Sequence, residues 1–195
     1  MASGNRYFTY NSQPGLSYPS ISPNVVSVGA TWAASGGAPV TFSTGATEST
    51  PIVDHIVSFT QRSSALSILA PGAWITSDWL NNTTQAMGGT SMATAVISGA
   101  AVLLHQAYDQ TGKGALATQD NILKLMQTTG VSVVDANYGT DNVVHTGLTF
   151  KRLNLKAAMD TIGQPIAPPT FAPISNQTLP VGGTIVVPFT VTSPT

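Results

Sequence analysis

The sequence predicts an α/β fold in which buried strands of a mostly parallel sheet alternate with helices. Residues 25–32 are rich in β-branched side chains and almost continuously apolar, as in a strand that is buried on both faces of a parallel sheet. Residues 89–104 place a turn of small residues before an apolar, helix-like run. Residues 118–126 begin with a threonine suited to capping a helix, carry an early acid and have amphipathic spacing. Strands interleaved with helices in this way predict the α/β class.

The remaining elements follow from local composition. Small and polar residues predict a surface loop over 33–50, and the polar residues 81–85 predict a second loop. Short apolar runs predict strands at 56–59 and 66–69, followed by a turn at 70–72. The helix that starts at 118 is expected to end at Gly130.

Ser91 is the candidate nucleophile. Small residues at positions 89, 90 and 93 allow the backbone to pass close to a substrate, and the apolar run over 93–104 can bury a helix almost all round. A helix that starts at this point directs its free N–H groups and its positive dipole end toward the serine, which favours negative charge that develops there. The plain alternative is a serine that only caps the helix.

Composition limits the function classes. The 195 residues suffice for one domain with its own core, and the absence of cysteine excludes disulfides and thiolate metal sites. Seven basic and eight acidic residues leave no patch suited to nucleic acid or an anionic membrane, and no apolar run has transmembrane length. The low charge content, with 18 glycines and 13 prolines, favours a loop-rich extracellular protein.

The segment around Ser91 resembles the serine motif of the subtilisin-like serine peptidases, Gly-Thr-Ser-Met-Ala-Ser/Thr-Pro-His-Val-Ala/Ser-Gly. Residues 89–94, Ser98 and Gly99 match the motif and Ile97 is a conservative variant, whereas Ala95 and Val96 replace its proline and histidine. That histidine is not the base of the catalytic triad. The resemblance implies a three-layer subtilisin-like fold and a serine endopeptidase that acts on protein or peptide substrates. Such an enzyme requires no cofactor for its chemistry, and we expect it to be secreted. Structural calcium is possible in the family, but no carboxylate cluster in this sequence places a calcium site.

Two further blocks resemble the same family in the same order. Residues 18–30 are similar to its Tyr-Pro…Val-Ile-Ala-Val-Gly-Ala segment, and residues 58–72 to its Phe-Ser…Ala-Pro-Gly segment. Residues 153–159 resemble the family's closing helix, so the resemblance covers residues 2 to about 160.

The start of the chain resembles the family's Ala-Ala-Gly-Asn strand end, and this resemblance implies that the Asn5 side-chain amide and the Ser91 backbone N–H donate to the oxyanion. The alternative is a turn asparagine before an aromatic strand over residues 6–10. The resemblance also implies one wall and the base of the pocket for the side chain that precedes the scissile bond, with Ser20 at the base. The expected substrate-binding residues are Ala2, Ser3, Gly4, Ser17, Tyr18 and Ser20.

The predicted organisation has three parts. Residues 1–163 are expected to be the C-terminal part of a peptidase domain, and residues 164–172 a Pro-rich linker. Residues 173–195 resemble the start of an immunoglobulin-like or cadherin-like β-sandwich, which we expect to be truncated. Subtilisins carry the triad Asp and His before the oxyanion asparagine. We therefore expect both partners in a missing N-terminal segment of the same protein, and we expect the isolated chain to be inactive.

Two other functions remain open. The turn at residues 89–93 is one residue from the Gly-x-Ser-x-Gly elbow of α/β-hydrolase esterases, and Asp135 and His145 follow in that family's order, but no apolar strand precedes the turn. The chain could also be a non-catalytic extracellular binding module derived from a degenerate peptidase. His55 and His105 show no pattern that indicates catalysis.

Overall fold

A computed structural model describes residues 1–163, 170–171 and 191–192. The strands are β1 (Val28–Thr31), β2 (Val40–Thr41), β3 (Thr47–Glu48), β4 (Ile68–Pro71), β5 (Ile75–Trp79), β6 (Thr83–Met87), β7 (Val131–Val134), β8 (Thr149–Arg152), β9 (Thr170–Phe171) and β10 (Val191–Thr192). The α-helices are α1 (Thr90–Gln110), α2 (Gln119–Thr129) and α3 (Leu155–Ile162), and short 3-10 turns occupy Leu80–Asn82 and Gly114–Leu116.

The central sheet has four strands in the order β1, β4, β8, β7. The β1–β4 and β4–β8 pairs are parallel, and β7 closes the sheet antiparallel to β8. Ala2 adds a parallel bridge to Val28 on the outer side of β1. All four residues of β1 are buried, as the apolar run over 25–32 predicts. The α/β class and the mostly parallel sheet are therefore confirmed.

The main core lies between the sheet and the three helices. Alternate residues of β1 and β4, such as Ala30 and Ile68, face α1, because successive strand side chains point to opposite faces. The helix ends follow local signals. The Thr118 hydroxyl accepts a hydrogen bond from the Asn121 N–H, and Gly130 caps the C-terminus of α2 as predicted.

Helix α1 is buried along one stripe rather than almost all round, so that prediction is wrong for the described residues. Positions spaced three and four apart face the sheet and are buried: Thr90, Ala93, Ile97, Ala100, Leu104 and Ala107. The opposite face is open, and Val102 is 68% exposed. One sheet face can cover only one side of a helix, and the outer side lines an open groove of about 690 Å³ together with Leu123 of α2.

The second face of the sheet carries a smaller apolar cluster formed largely by loop residues. Leu69 of β4 and Phe150 of β8 point to this face, where they meet Leu16, Ile56 and Leu66. Residues 56–59, predicted as a strand, contribute only the single bridge of Ile56 to Thr31. The second predicted strand is displaced by two residues and includes Ala70 and Pro71, which were expected in the following turn.

The segment before Ser91 is an exposed hairpin and not the predicted polar loop. β5 and β6 pair antiparallel over five residue pairs. Asn81 and Asn82 both adopt positive φ, at 58° and 57°, which asparagine tolerates better than most residues. The Asn-Asn pair was thus a turn signal that the polar composition concealed. The predicted loop over 33–50 likewise contains the small hairpin of β2 with β3.

In the tail, the structure describes only the antiparallel pairing of β9 with β10. The predicted linker at 164–172 and the predicted sandwich segment at 173–195 otherwise lie outside the described residues. No helix in the described part of the chain combines the length and the apolar character needed to cross a membrane.

Candidate active site

Ser91 is exposed at the second position of α1, where the chain leaves the β5–β6 hairpin. Gly89 precedes the helix in an extended conformation, and its N–H donates to the Gly72 carbonyl at 2.7 Å. The first-turn N–H groups of Met92 and Ala93 donate back to the Gly89 carbonyl. Within the described residues, the N–H of Ser91 has no hydrogen-bond partner, so it remains a free donor at the positive end of a 21-residue helix.

Asn5 lies against this helix end. Its Oδ1 accepts two hydrogen bonds from Thr90, at 2.9 Å from the backbone N–H and at 2.8 Å from the hydroxyl. Because a backbone N–H can only donate, these bonds identify Oδ1 and leave the amide nitrogen as the free end. The Asn5 Nδ2 lies 3.3 Å from the position that a Cβ atom on Gly89 would occupy. The structure therefore brings Asn5 and Ser91, 86 positions apart in the sequence, to one helix end.

Thr90 joins the two segments. The Thr90 side chain is fully buried, and its hydroxyl accepts from the Gly4 N–H at 3.2 Å while it donates to Asn5. One side chain thus connects the backbone of the N-terminal segment to the orientation of the Asn5 amide. A serine that acted only as a helix cap would not require this network, and Ser91 itself makes no capping bond.

Glycines let the segments pack closely at this point. A Cβ atom on Gly72 would lie 2.7 Å from Ala30 Cβ and 2.8 Å from the Gly89 carbonyl oxygen. Any side chain there would push the serine turn away from the sheet. The Ala-Pro-Gly sequence at 70–72 therefore ends a strand and supports the first turn of α1.

Some of the predicted pocket residues contact one another in the structure, and others do not. Ala2 pairs with β1, and buried Ser3 donates its N–H to the Val28 carbonyl and accepts from the Ser17 N–H. Tyr18 points into solvent with 85% of its surface exposed. Ser20 is buried, with a hydroxyl that has no partner in the described part of the chain. Ser3, Gly4 and Ser17 therefore contact one another, and the assignment of these residues and of Ser20 to a substrate pocket stays a prediction.

Gln61, which no sequence pattern singled out, also contacts Gly4 and Ser17. Its N–H donates to the Gly4 carbonyl at 2.9 Å, and its Oε1 accepts from the Ser17 hydroxyl at 2.7 Å. The side chain is 6% exposed. The only local signal was a polar residue that directly follows the apolar run at 56–59, and that signal does not reveal its contact with Gly4.

A charged cluster lies beneath the loops near Tyr7. The Arg62 guanidinium bonds Asp135 at 2.6 Å, and both side chains are essentially inaccessible to solvent. Burial favours the neutral carboxyl, but the attraction of Arg62 and the hydrogen bonds from Thr146 and His145 outweigh it, so the pKa of Asp135 is lowered. The cluster therefore holds a buried ionised pair.

The same cluster contains Asp135 and His145, the two residues that an α/β-hydrolase triad with Ser91 would need. His145 contacts Asp135 at 3.0 Å through Nδ1, but its Nε2 contacts Asp141, also at 3.0 Å. Neither ring nitrogen is left to bond Ser91, and the strand before the serine turn belongs to an exposed hairpin instead of a central strand. The arrangement differs from a nucleophile elbow with its triad.

The other histidines are also placed away from a base's position. His105 is on the exposed side of α1 and pairs with Asp109 at 3.1 Å, and His55 stacks on Tyr138. In the described residues, no three side chains of His, Cys, Asp or Glu converge in an arrangement that could hold a metal. Structural calcium therefore stays a prediction without a site.

Comparison with known proteins identifies the family. The family model for the subtilase family, Peptidase_S8, matches residues 1–149. No curated protein sequence matches significantly. Among solved structures, the patellamide maturation protease PatA is similar at 25% identity and a TM-score of 0.57, with 83% of this chain and 49% of that chain covered. The prenylagaramide maturation protease PagA matches at 23% identity and a TM-score of 0.55, with 84% and 50% covered.

The PatG macrocyclase in complex with peptide has the same fold at 21% identity and a TM-score of 0.55, with 84% of this chain and 42% of that chain covered. The chain spans about half the length of the solved structures that it matches, or less. The family match covers most of the sequence and includes both Asn5 and Ser91. The chain belongs to the subtilase family.

Proposed function

We propose that this chain supplies the serine and the oxyanion hole of a subtilisin-like serine endopeptidase. Ser91 is the nucleophile, and the Ser91 N–H and the Asn5 Nδ2 hold the oxyanion. The observation that carries the proposal is the double hydrogen bond from Thr90 to Asn5 Oδ1, which leaves the amide N–H groups free beside the N-terminus of α1. Preorganised donors at the point where charge develops are the main source of rate in acyl transfer.

The proposed reaction has two halves. The Ser91 Oγ attacks the peptide carbonyl carbon and passes its proton to a histidine base, while the carbonyl oxygen becomes the oxyanion held by the two donors. The protonated base then gives its proton to the leaving amine. Water attacks the resulting ester of Ser91 with the same base and the same oxyanion hole, which releases the acid and restores the hydroxyl.

We place the base and its aspartate outside this chain. All three histidines belong to the described part, and none is suitably placed. His105 is 14 residues after Ser91, which is about 21 Å along a helix axis. Both nitrogens of His145 are committed to carboxylates, and burial lowers the pKa of His55, which stacks on Tyr138. The match to about half of each related structure is consistent with partners elsewhere in the same protein.

We further propose a secreted protein that acts on protein or peptide substrates, and an isolated chain of 195 residues without measurable peptidase activity. A serine without its base retains only the contributions of binding and the oxyanion hole. The alternative that remains is a non-catalytic module, which would keep Ser91 and Asn5 without using them.

The test uses the protein at its natural length and a fluorophosphonate probe that reacts with activated serines. We expect labelling at Ser91 that Ser91→Ala abolishes. In the active protein, Asn5→Leu should lower kcat roughly 100- to 1000-fold, a magnitude taken from measurements on subtilisin itself. Asn24→Ala, at an exposed asparagine, is the matched control and should leave kcat unchanged.

Two results would contradict the proposal. A folded natural protein that neither reacts with the probe nor cleaves peptides would favour the non-catalytic module. Peptide hydrolysis by the isolated chain that disappears in Ser91→Ala would keep the nucleophile but refute a base outside the chain.

A further inference from the structure

We propose that Gln61, together with Ser17, forms the floor of the pocket for the substrate residue before the scissile bond, and that it selects a side chain ending in a carboxamide, glutamine or asparagine. This inference rests on the proposed function. It adds a specificity-determining residue and names the substrate class.

Gln61 is held in one orientation by two neighbours. Its backbone N–H donates to the Gly4 carbonyl at 2.9 Å, and the Ser17 hydroxyl donates to its Oε1 at 2.7 Å. Because Oε1 accepts from Ser17, the other end of the carboxamide is Nε2, a donor with no partner among the described residues. Gln61 is more than nine-tenths buried, but its Nε2 atom is not fully sealed from solvent. A buried side chain thus carries one unpaired donor that keeps contact with solvent.

The position of Gln61 relative to the oxyanion donor points to the pocket. Gly4 immediately precedes Asn5, and its φ of 113° is a left-handed value that favours glycine. A Cβ atom on Gly4 would fall inside the van der Waals radii of Gln61 Oε1 and Ser17 Oγ. The Ser17–Gln61 pair therefore lies directly against the bare side of Gly4. The Cα atom of Gly4 is about 3.8 Å from the Cα atom of Asn5, whose side chain is proposed to hold the carbonyl oxygen. In the substrate, the side chain before the scissile bond branches from the Cα atom that is bonded to this carbonyl carbon.

The chemistry of the floor is polar and uncharged. Its groups are a carboxamide, a hydroxyl and backbone. The Arg62 guanidinium, which belongs to the residue after Gln61, is fully buried and already bonds Asp135, the Thr60 carbonyl and the Ser58 carbonyl. A substrate carboxylate or ammonium that binds only these uncharged groups would be desolvated without a counter-ion.

A substrate carboxamide fits both groups. Its oxygen accepts from Gln61 Nε2, and its NH2 donates to a lone pair of the Ser17 hydroxyl oxygen. An apolar side chain of equal length would cover Nε2 and leave it unpaired, which costs roughly tenfold to a hundredfold in kcat/KM.

The experiment uses the natural-length protein and peptides that differ only in the residue before the scissile bond, glutamine, methionine or glutamate. We expect kcat/KM for glutamine to exceed that for methionine by about 10- to 100-fold, with glutamate the poorest. Gln61→Met should abolish the preference for glutamine, while fluorophosphonate labelling of Ser91 persists. Gln13→Met, at an exposed glutamine, is the matched control and should leave the preference intact.

A second variant guards against misfolding of Gln61→Met. Ser17→Ala removes the hydroxyl that orients Gln61 and should reduce the preference for glutamine. An active wild type without preference for glutamine over methionine overturns the inference and leaves the proposed function standing. The inference is also overturned, and the proposed function left standing, if Gln61→Met or Ser17→Ala is labelled by the probe and keeps the wild-type preference for glutamine. A wild type that is neither labelled nor active overturns both.

Discussion

Replacing Asp135 by asparagine tests the electrostatic account of the fold. The carboxylate bonds Arg62 at 2.6 Å through Oδ1, and its Oδ2 accepts from the N–H and the hydroxyl of Thr146 at 2.8 and 2.7 Å. Asparagine has nearly the same shape but carries no charge, and it turns an NH2 group toward donors. Because Arg62 is fully buried, its charge is left uncompensated, which costs about 3–5 kcal/mol in the free energy of unfolding.

The same pair predicts a pH dependence with a definite sign. Burial raises the pKa of Asp135, but Arg62, Thr146 and His145 together lower it below its unfolded value of about 3.9. The stabilisation is therefore complete above the unfolded pKa and is lost as the pH falls through the folded pKa. We expect the difference between wild type and Asp135→Asn to be full at pH 7 and to shrink below about pH 4.

The assay is urea unfolding followed by tryptophan fluorescence at neutral and acidic pH. The matched control is Asp160→Asn, which removes an exposed pair with Lys156 whose side chains are 58% and 84% exposed, and we expect a change of at most about 0.5 kcal/mol. A loss below about 1 kcal/mol for Asp135→Asn would refute the importance assigned to the buried pair. A difference that stays constant into acid would refute the sign of the pKa shift.

Four further substitutions test a hydrogen bond, the packing of two glycines and a helix cap. Thr90→Val keeps the shape of the side chain but removes the hydroxyl bond to Asn5, so kcat of the natural-length protein should fall roughly threefold to tenfold with KM little changed, and Thr90→Ser should restore it. Gly72→Ala should lower the free energy of unfolding by about 1–3 kcal/mol, because its Cβ would meet the backbone of the serine turn. Gly99 is on the open side of α1, and a Cβ atom there would have no atom within 4 Å. Gly99→Ala should therefore raise the free energy of unfolding by about 0.5–1 kcal/mol, and denaturant unfolding of the two glycine variants measures both changes. Thr118→Ala removes the N-cap bond of α2 and should cost about 1 kcal/mol in the same assay; no change would show that the cap is dispensable.

Local signals explain what could be predicted for the elements. The small residues at 89–93 followed by an apolar run predicted the start of α1, and the cap at Thr118 and the stop at Gly130 predicted α2 to within a few residues. Each signal depends on neighbours within one turn, so the chain carries it before any tertiary contact forms. The Asn81-Asn82 turn was a signal of the same kind, hidden in a segment whose polarity indicated a loop.

Other outcomes depended on what each element packs against. The apolar run of α1 predicted burial on all sides, but a helix that lies on one sheet face buries only the stripe that touches it. Residues 56–59 are apolar enough for a strand, yet only Ile56 bridges β1, at Thr31, on the edge of β1 opposite β4.

By itself, the sequence determined the α/β class, the family and the identity of Ser91 as the candidate nucleophile, since a motif and a hydrophobic period are contained in consecutive residues. Only the tertiary structure decided how the site is built. The bonds from Thr90 to Asn5, from Ser17 to Gln61 and from Arg62 to Asp135 join residues 85, 44 and 73 positions apart. No local pattern encodes such pairings, because they arise when folding places separate segments against the same helix end and sheet edge.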